Sequence, residues 1–266
     1  MSERLLYRYQ PYIKDRVDQL TSSDIWVSDP TLFNDSTDLN PTISDKTDLG
    51  PFKSAEHFVD AVELVFRNNP VVNGYWLFGS SDDTNSPASL LTHPRNNLDF
   101  EEYFGKCVLK RIQGFGVTCF APSPSMQMMW THYAGHGSGY CLEYKAEINF
   151  DAANENAKKG FALIDVDYST FFMHEYCISE IIFTPHRSLQ RLLATKHIDW
   201  SNEKETRLIS FNKKSAHTDI PSWLRLTRII LGPNADEESK IHLEGKAQKL
   251  GIEFFPTLLR LKKRKI

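Results

Sequence analysis

The sequence predicts an α+β protein, a mixed β-sheet core flanked by helices, on three observations. Short runs of β-branched and aromatic residues recur along the chain, amphipathic helical stretches separate some of them, and the two kinds do not alternate regularly. The third observation decides the class, because a doubly wound parallel sheet needs strand and helix in strict succession. At 266 residues the chain fits one mixed domain, 1–266, with no internal repeat or strong linker to divide it.

The elements follow in order. Leu5–Tyr9 is a strand that Pro11 ends. Ile13–Leu20 reads as a helix and Asp24–Ser28 as a second strand. Asp29–Ser36 carries turn chemistry, with Pro30 and an Asn34-Asp35 pair able to bond nearby backbone. Residues 36–55 are polar and loop-like, Ala55–Phe66 spaces Phe58, Val62 and Val65 on one helix face, and 79–98 reads as another loop. Phe115–Phe120 is a buried strand closed by Pro122 and Pro124. Ser125–Ala134 reads as a short helix with Met126, Met129, Trp130 and Tyr133 along one side, and Gly135, Gly137 and Gly139 form a turn. Strands are expected at Tyr140–Tyr144 and Phe161–Tyr168, a helix at Leu189–Ile198, and an alternating strand at Lys204–Phe211. Arg228–Leu231 is a buried strand stopped by Gly232-Pro233. Glu237–Leu250 has helical period with Gly251 as its stop, and Ile252–Leu261 returns to strand.

Composition narrows the function classes. Hydrophobic residues at 41% and charged residues at 24% exclude a disordered chain, and a formal net charge of −3 gives no global field toward nucleic acid or acidic membranes. The exception is the basic tail 260–266, read either as a solubilising terminus or as a contact for nucleic acid or a partner. Cys107, Cys119, Cys141 and Cys177 form no CxxC pair, so no zinc ribbon or thioredoxin motif is expected. No secretory leader and no membrane-length apolar run is read, which points to a reducing cytoplasm and no membrane partner. GxGxxG, Walker, HExxH and GxSxG patterns are absent, which disfavours dehydrogenases, P-loop enzymes, zincins and α/β-hydrolases.

Four constellations carry chemistry. On a strand, Glu203, Glu205 and Arg207 share one face, where close carboxylates raise one another's pKa unless a cation or hydroxyl relieves them. Such a pair suits a general base with a ribose-hydroxyl clamp, or is an exposed strand of alternating charge. His132 and His136 stand four apart, but Gly135 and Gly137 end the helix and no third ligand is marked, so no metal is predicted there. Asp165 and Asp167 are either a magnesium pair or the wet face of an edge strand. Tyr7-Arg8-Tyr9 places a guanidinium between rings, fit for a phosphate and a planar ligand, or for plain solvent.

Taken in order, Leu6–Tyr9, Pro30–Asp35, Val117–Phe120, Met129–Ala134 with Gly139–Glu143, and Lys196-x-x-x-Trp200-x-x-Glu203-x-Glu205-x-Arg207 resemble the bacterial family catalogued as domain of unknown function 2971. The blocks span roughly residues 5–260. The departures are Ser36, where the family usually has Pro, and Ala121, where it often has Ser.

A second resemblance is to ADP-ribosyltransferases of the Arg–Ser–Glu type. It implies a split NAD-binding sheet, with Arg8 on the NAD phosphates or ribose and Ser123 nearest the usual serine position. It also implies that Tyr9, Trp130 or Tyr133 stacks on nicotinamide, with His132 beside them. Glu205 would bind a nicotinamide-ribose hydroxyl and stabilise the developing oxocarbenium ion, and Glu203 would orient the nucleophile. Asn34, Asp35, Lys196, Trp200 and Arg207 are supporting residues.

The resulting expectation is an NAD-dependent ADP-ribosyltransferase-like enzyme, a toxin or phage-defence effector. It would modify a protein or nucleic acid and be held by an antitoxin or regulatory protein. The alternatives are a metal-dependent nuclease using Asp165, Asp167 or the histidines, and a non-catalytic binding module built around Trp130 and Trp200.

Overall fold

A computed structural model describes residues 2–35, 38–39, 107, 109–148, 160–169, 191–211 and 213–256. The helix expected at 55–66, the loop at 79–98, Cys177 and the basic tail lie outside the described residues.

The fold is α+β, as the sequence predicts. One sheet has the order β1-β4-β10-β11, built from Ser2–Gln10, Tyr140–Ile148, Leu224–Leu231 and Glu253–Phe255. A second has the order β3-β8-β5, from Gly116–Phe120, Thr206–Ser210 and Phe161–Asp165. Two further pairs are β2 with β9 (Asp24–Val27 and Ala216–Asp219) and β6 with β7 (Asp167–Ser169 and Thr195–His197).

How the two larger sheets meet decides where the site lies. Along one edge of β3, Ala121 exchanges two backbone hydrogen bonds with Tyr7 of β1, and Val117 exchanges two with Ser28 after β2. Thr118–Phe120 lie between those two contacts. The first strands are thus split, with β1 and β2 gripping opposite ends of β3.

Alternation along β1 sorts its side chains. Leu6, Arg8 and Gln10 stand opposite Tyr144, Leu142 and Tyr140 and share their face. That face carries the main core, where Leu6, Phe120, Leu142, Tyr144, Leu226 and Ile229 pack beneath Leu243 and Ala247. The other face of β1 holds Tyr7 and Tyr9 against Trp130, Ala134, Cys141 and Ile230. An arginine therefore sits on the core side of a strand, at the margin of an apolar cluster.

Helix α1 (Lys14–Gln19) buries Val17, and α2 (Gln127–Tyr133) buries Trp130. Helix α3 (Glu237–Leu250) shows how local chemistry sets its bounds. The Asp236 carboxylate accepts from the Ser239 N–H, Glu237 and Glu238 sit in the first turn, and Gly251 closes the end at φ 66°. Ser239, Leu243 and Ala247, spaced by four, are its buried stripe.

Three expectations need correction. Phe161–Tyr168 is not one strand but two, because Val166 turns inward and β5 and β6 join different sheets. The helix expected at Leu189–Ile198 is helical at residues 191–194 and then gives way to β7. The strand expected from Lys204 starts at Thr206, because Ile198–Glu203 form a 3₁₀ helix and Lys204 adopts a left-handed conformation at φ 49°.

Close backbone approach explains one glycine. A Cβ on Gly232 would lie 2.2 Å from the Gly137 carbonyl oxygen and 2.5 Å from that of Gly139. Gly232→Ala is expected to cost about 1–3 kcal/mol through overpacking, read as a shift of the urea unfolding midpoint.

Candidate functional site

The kink at Lys204 brings together what a straight strand would not. A regular strand through 203–207 would space Glu203, Glu205 and Arg207 evenly along one face. Instead Glu203 ends the 3₁₀ helix, the chain reverses its sense at Lys204, and Glu205 stands just before β8. Both carboxylates then reach one ammonium: Lys196 Nζ donates to Glu203 Oε2 at 2.7 Å and to Glu205 Oε2 at 3.1 Å. Lys196 comes from the middle of β7, and its Nζ lies 5.0 Å from the ring centroid of Trp200.

Arg207 completes the cluster from inside the second sheet, with 0% exposure. Its Nε donates to Glu205 Oε1 at 2.7 Å, and one terminal nitrogen donates to both Asp38 oxygens at 2.7 Å. The other donates to the Leu193 carbonyl at 3.0 Å. Asp38 was not singled out in the sequence, for it sits in an unpatterned polar stretch. The cluster holds three carboxylates against two cations, a formal charge of −1. Tyr133 Oη donates to the remaining Glu203 oxygen at 2.5 Å, and Tyr168 Oη accepts from the Glu205 N–H at 2.8 Å.

Burial and charge oppose one another here. Burial pushes the Glu205 carboxyl up, but Arg207 and then Lys196 outweigh it and hold the pKa at about 2. Burial disfavours the Lys196 ammonium, yet Glu205, Asp38 and Glu203 raise its pKa overall. Asp38 goes the other way: burial raises its pKa, with Glu205 adding to the effect, despite Arg207 and Lys196. Glu205 is thus a fixed anion at neutral pH.

Glu203 and Glu205 face a cavity of about 180 Å³ in the split between β1 and β3. Arg8, Asn34, Thr118, Cys119 and Tyr133 line the same space. Arg8 and the acidic cluster therefore border one cavity, which is lined by groups of both signs. Because Tyr7 gives its N–H and C=O to Ala121, strand parity turns those of Tyr9 toward the same edge. No described residue continues the β1–β3 pairing at Tyr9, so its N–H and C=O face the cavity as a free strand edge.

Several expected residues lie elsewhere. Trp130 is 2% exposed and donates through Nε1 to the Pro124 carbonyl at 2.8 Å. The Tyr9 ring stands edge-on to Trp130 at 4.9 Å, and its hydroxyl donates to the Ser123 carbonyl, so both rings are engaged in the apolar cluster that Met129 and Tyr133 also join. Ser123 Oγ pairs with Ser125 Oγ at 2.8 Å, and His132 is exposed beside Tyr133. None of Ser123, Trp130 and His132 lines the cavity. Asp35 has interactions of its own and is not among the lining residues. His136 is in the left-handed region at φ 55°, past the end of α2, so it does not pair with His132 on one helix face. Asp165 is engaged by Arg4 Nη1 at 2.7 Å and by Thr206 Oγ1 at 2.7 Å. Among the described residues no group of three or more His, Cys, Asp or Glu side chains is arranged to hold a metal ion, and no helix is long and apolar enough to cross a membrane.

The family model described as protein of unknown function (DUF2971) matches residues 129–208. That segment runs from α2 through the Lys196–Arg207 cluster and supplies Tyr133, Glu203 and Glu205 to the cavity. No curated protein and no solved structure matches the chain.

Proposed function

We propose that this chain, a DUF2971-family protein over residues 129–208, is an NAD-consuming ADP-ribosyltransferase-like enzyme. The observation that carries the reading is the cavity of mixed sign, bordered both by Arg8 and by a buried cluster of formal charge −1. NAD, as substrate, has the matching polarity: an anionic diphosphate at its centre and a cationic pyridinium ring at one end. The free N–H and C=O of Tyr9 complement a primary carboxamide, which donates and accepts side by side.

The chain's residues then have separable work. Arg8 holds the diphosphate. Glu205, ionised and immobilised by Arg207 and Lys196, faces the ribose carbon as the glycosidic bond breaks and its electron pair leaves with the ring. A preorganised anion stabilises the positive charge that develops there. Glu203, steered by Tyr133 and Lys196, orients the incoming hydroxyl and takes its proton. The acceptor is a protein or nucleic acid, and an effector of this kind would work in the cytoplasm under an antitoxin or regulatory protein.

The test is nicotinamide release from NAD by purified protein, alone and with cell extract. Tyr133→Phe removes only the hydroxyl that steers Glu203. It is expected to leave the fold in place and to slow release about tenfold, the loss of one charge-assisted hydrogen bond of about 1.5 kcal/mol. Absence of NAD binding together with absence of nicotinamide release in both conditions would sink the reading.

A further inference from the structure

We infer that the chain has a second ligand site, a cavity of about 380 Å³ between β1, β2 and β4 that takes a small phosphate-bearing molecule with a flat ring, of mononucleotide size. The cavity adjoins the acidic one and shares Arg8, Gln10 and Ser28 with it, but its character is different. Two guanidinium groups line it, Arg8 from β1 and Arg16 from α1.

Neither guanidinium has an ion-pair or hydrogen-bond partner among the described residues. Of the other described arginines of the sheets, Arg4 is engaged by Asp165, Arg207 by Glu205 and Asp38, and Arg228 by Glu143 and Glu253, while Arg225 is exposed on β10. Arg8 is set on the core face of β1, where burial lowers its pKa and Arg16 adds to the lowering by repulsion. Both guanidinium groups also act on the phenol of Tyr140, against the burial that raises it, which places them around one point of the cavity. Two cations converging on a partly desolvated space, with no carboxylate assigned to either, form a receptor for a doubly charged oxyanion. The one carboxylate among the described lining residues, Asp24, is turned to His217, whose Nδ1 stands 2.6 Å from Asp24 Oδ1.

The flat ring has its own support. Trp26 lines the cavity, is 39% exposed and meets His217 edge-on at 5.3 Å, leaving an indole surface on which a heterocycle can lie. The volume lies in the range of small-molecule sites. The inference shares Arg8 with the NAD reading but does not depend on bond cleavage in the neighbouring cavity.

Calorimetric titration with AMP, adenosine and inorganic phosphate separates the contributions. Wild type is expected to bind AMP with an affinity that falls as salt rises, and to bind adenosine and phosphate at least tenfold more weakly. Arg16→Gln is expected to weaken AMP about tenfold with the melting temperature unchanged, because Arg16 holds nothing else together, and Arg16→Lys to recover part of the loss. The inference is overturned if AMP does not bind, if adenosine binds as tightly as AMP, or if Arg16→Gln leaves AMP affinity unaltered. Loss of the NAD reading would show as absent nicotinamide release with AMP binding intact, so the two fail independently.

Discussion

Arg207→Leu is expected to cost about 4 kcal/mol or more and to leave little folded protein. The side chain is wholly buried and answers two carboxylates at once, Glu205 through Nε and Asp38 through a terminal nitrogen. Without it, three buried acids face Lys196 alone and the local charge falls from −1 to −2. Breaking a buried pair from one side costs about 3–5 kcal/mol, against a total stability of about 5–15 kcal/mol for a domain. The Leu193 carbonyl also loses its donor, joining the second sheet less firmly to the segment before β7. Arg207→Lys keeps the charge but not the fork, and is expected to fall between wild type and leucine. Urea unfolding of the three proteins checks the order; an unchanged midpoint for leucine would show that the cluster finds its neutralisation elsewhere.

Glu205→Gln is the second large effect and has two parts. The folded carboxyl sits at about 2 against an ordinary 4.5. At about 1.36 kcal/mol per unit, that difference is about 3 kcal/mol. The sign follows from the depression: the stabilisation is present above the unfolded value and disappears as pH falls toward the folded one. Wild type and variant should therefore differ by about 3 kcal/mol at pH 7 and converge between about pH 5 and 2. Asp38 contributes in the opposite sense. Its raised pKa gives stability below the ordinary aspartate range that fades as pH rises through the folded value, so it softens the acid limb. The second part is chemical. With both proteins folded at low temperature, single-turnover release of nicotinamide is expected to fall about 10²–10³-fold, the usual consequence of removing one preorganised charge. A variant that loses stability but keeps turnover would assign Glu205 to the framework alone.

The α+β class, the strands around Arg8 and Cys119, and helix α3 from Glu237 to Gly251 were readable because local signals agreed there. Periodicity and a terminal glycine agreed on that helix, and the Asp236 cap starts it where the periodicity does. The pairing of Glu203 with Glu205 was also visible, but for an incomplete reason. Spacing alone put both on a strand face, whereas the left-handed residue at Lys204 folds them around Lys196, and a lysine carries no sequence signal for that conformation. Asp38 was invisible because its role is fixed by a contact with Arg207, 169 positions away. The rings of Tyr9 and Trp130 looked like ligand platforms by type, and packing against one another in the cluster on that face of β1 engages them instead. Tertiary partners, not propensity, decided each of these cases.

The split between β1 and β3 has a mechanical side. Only the Tyr7–Ala121 exchange joins those two strands through the backbone, two hydrogen bonds rather than a ladder. At about 0.5–1.5 kcal/mol net for each bond, prising the strands further apart costs about 1–3 kcal/mol of backbone pairing. That is the scale of thermal breathing, so the cleft can dilate around a guest bulkier than its resting volume while both sheets keep their own ladders. Amide exchange at Tyr7 and Ala121 should accordingly be faster than at Leu142 or Leu208, whose strands are paired on both sides.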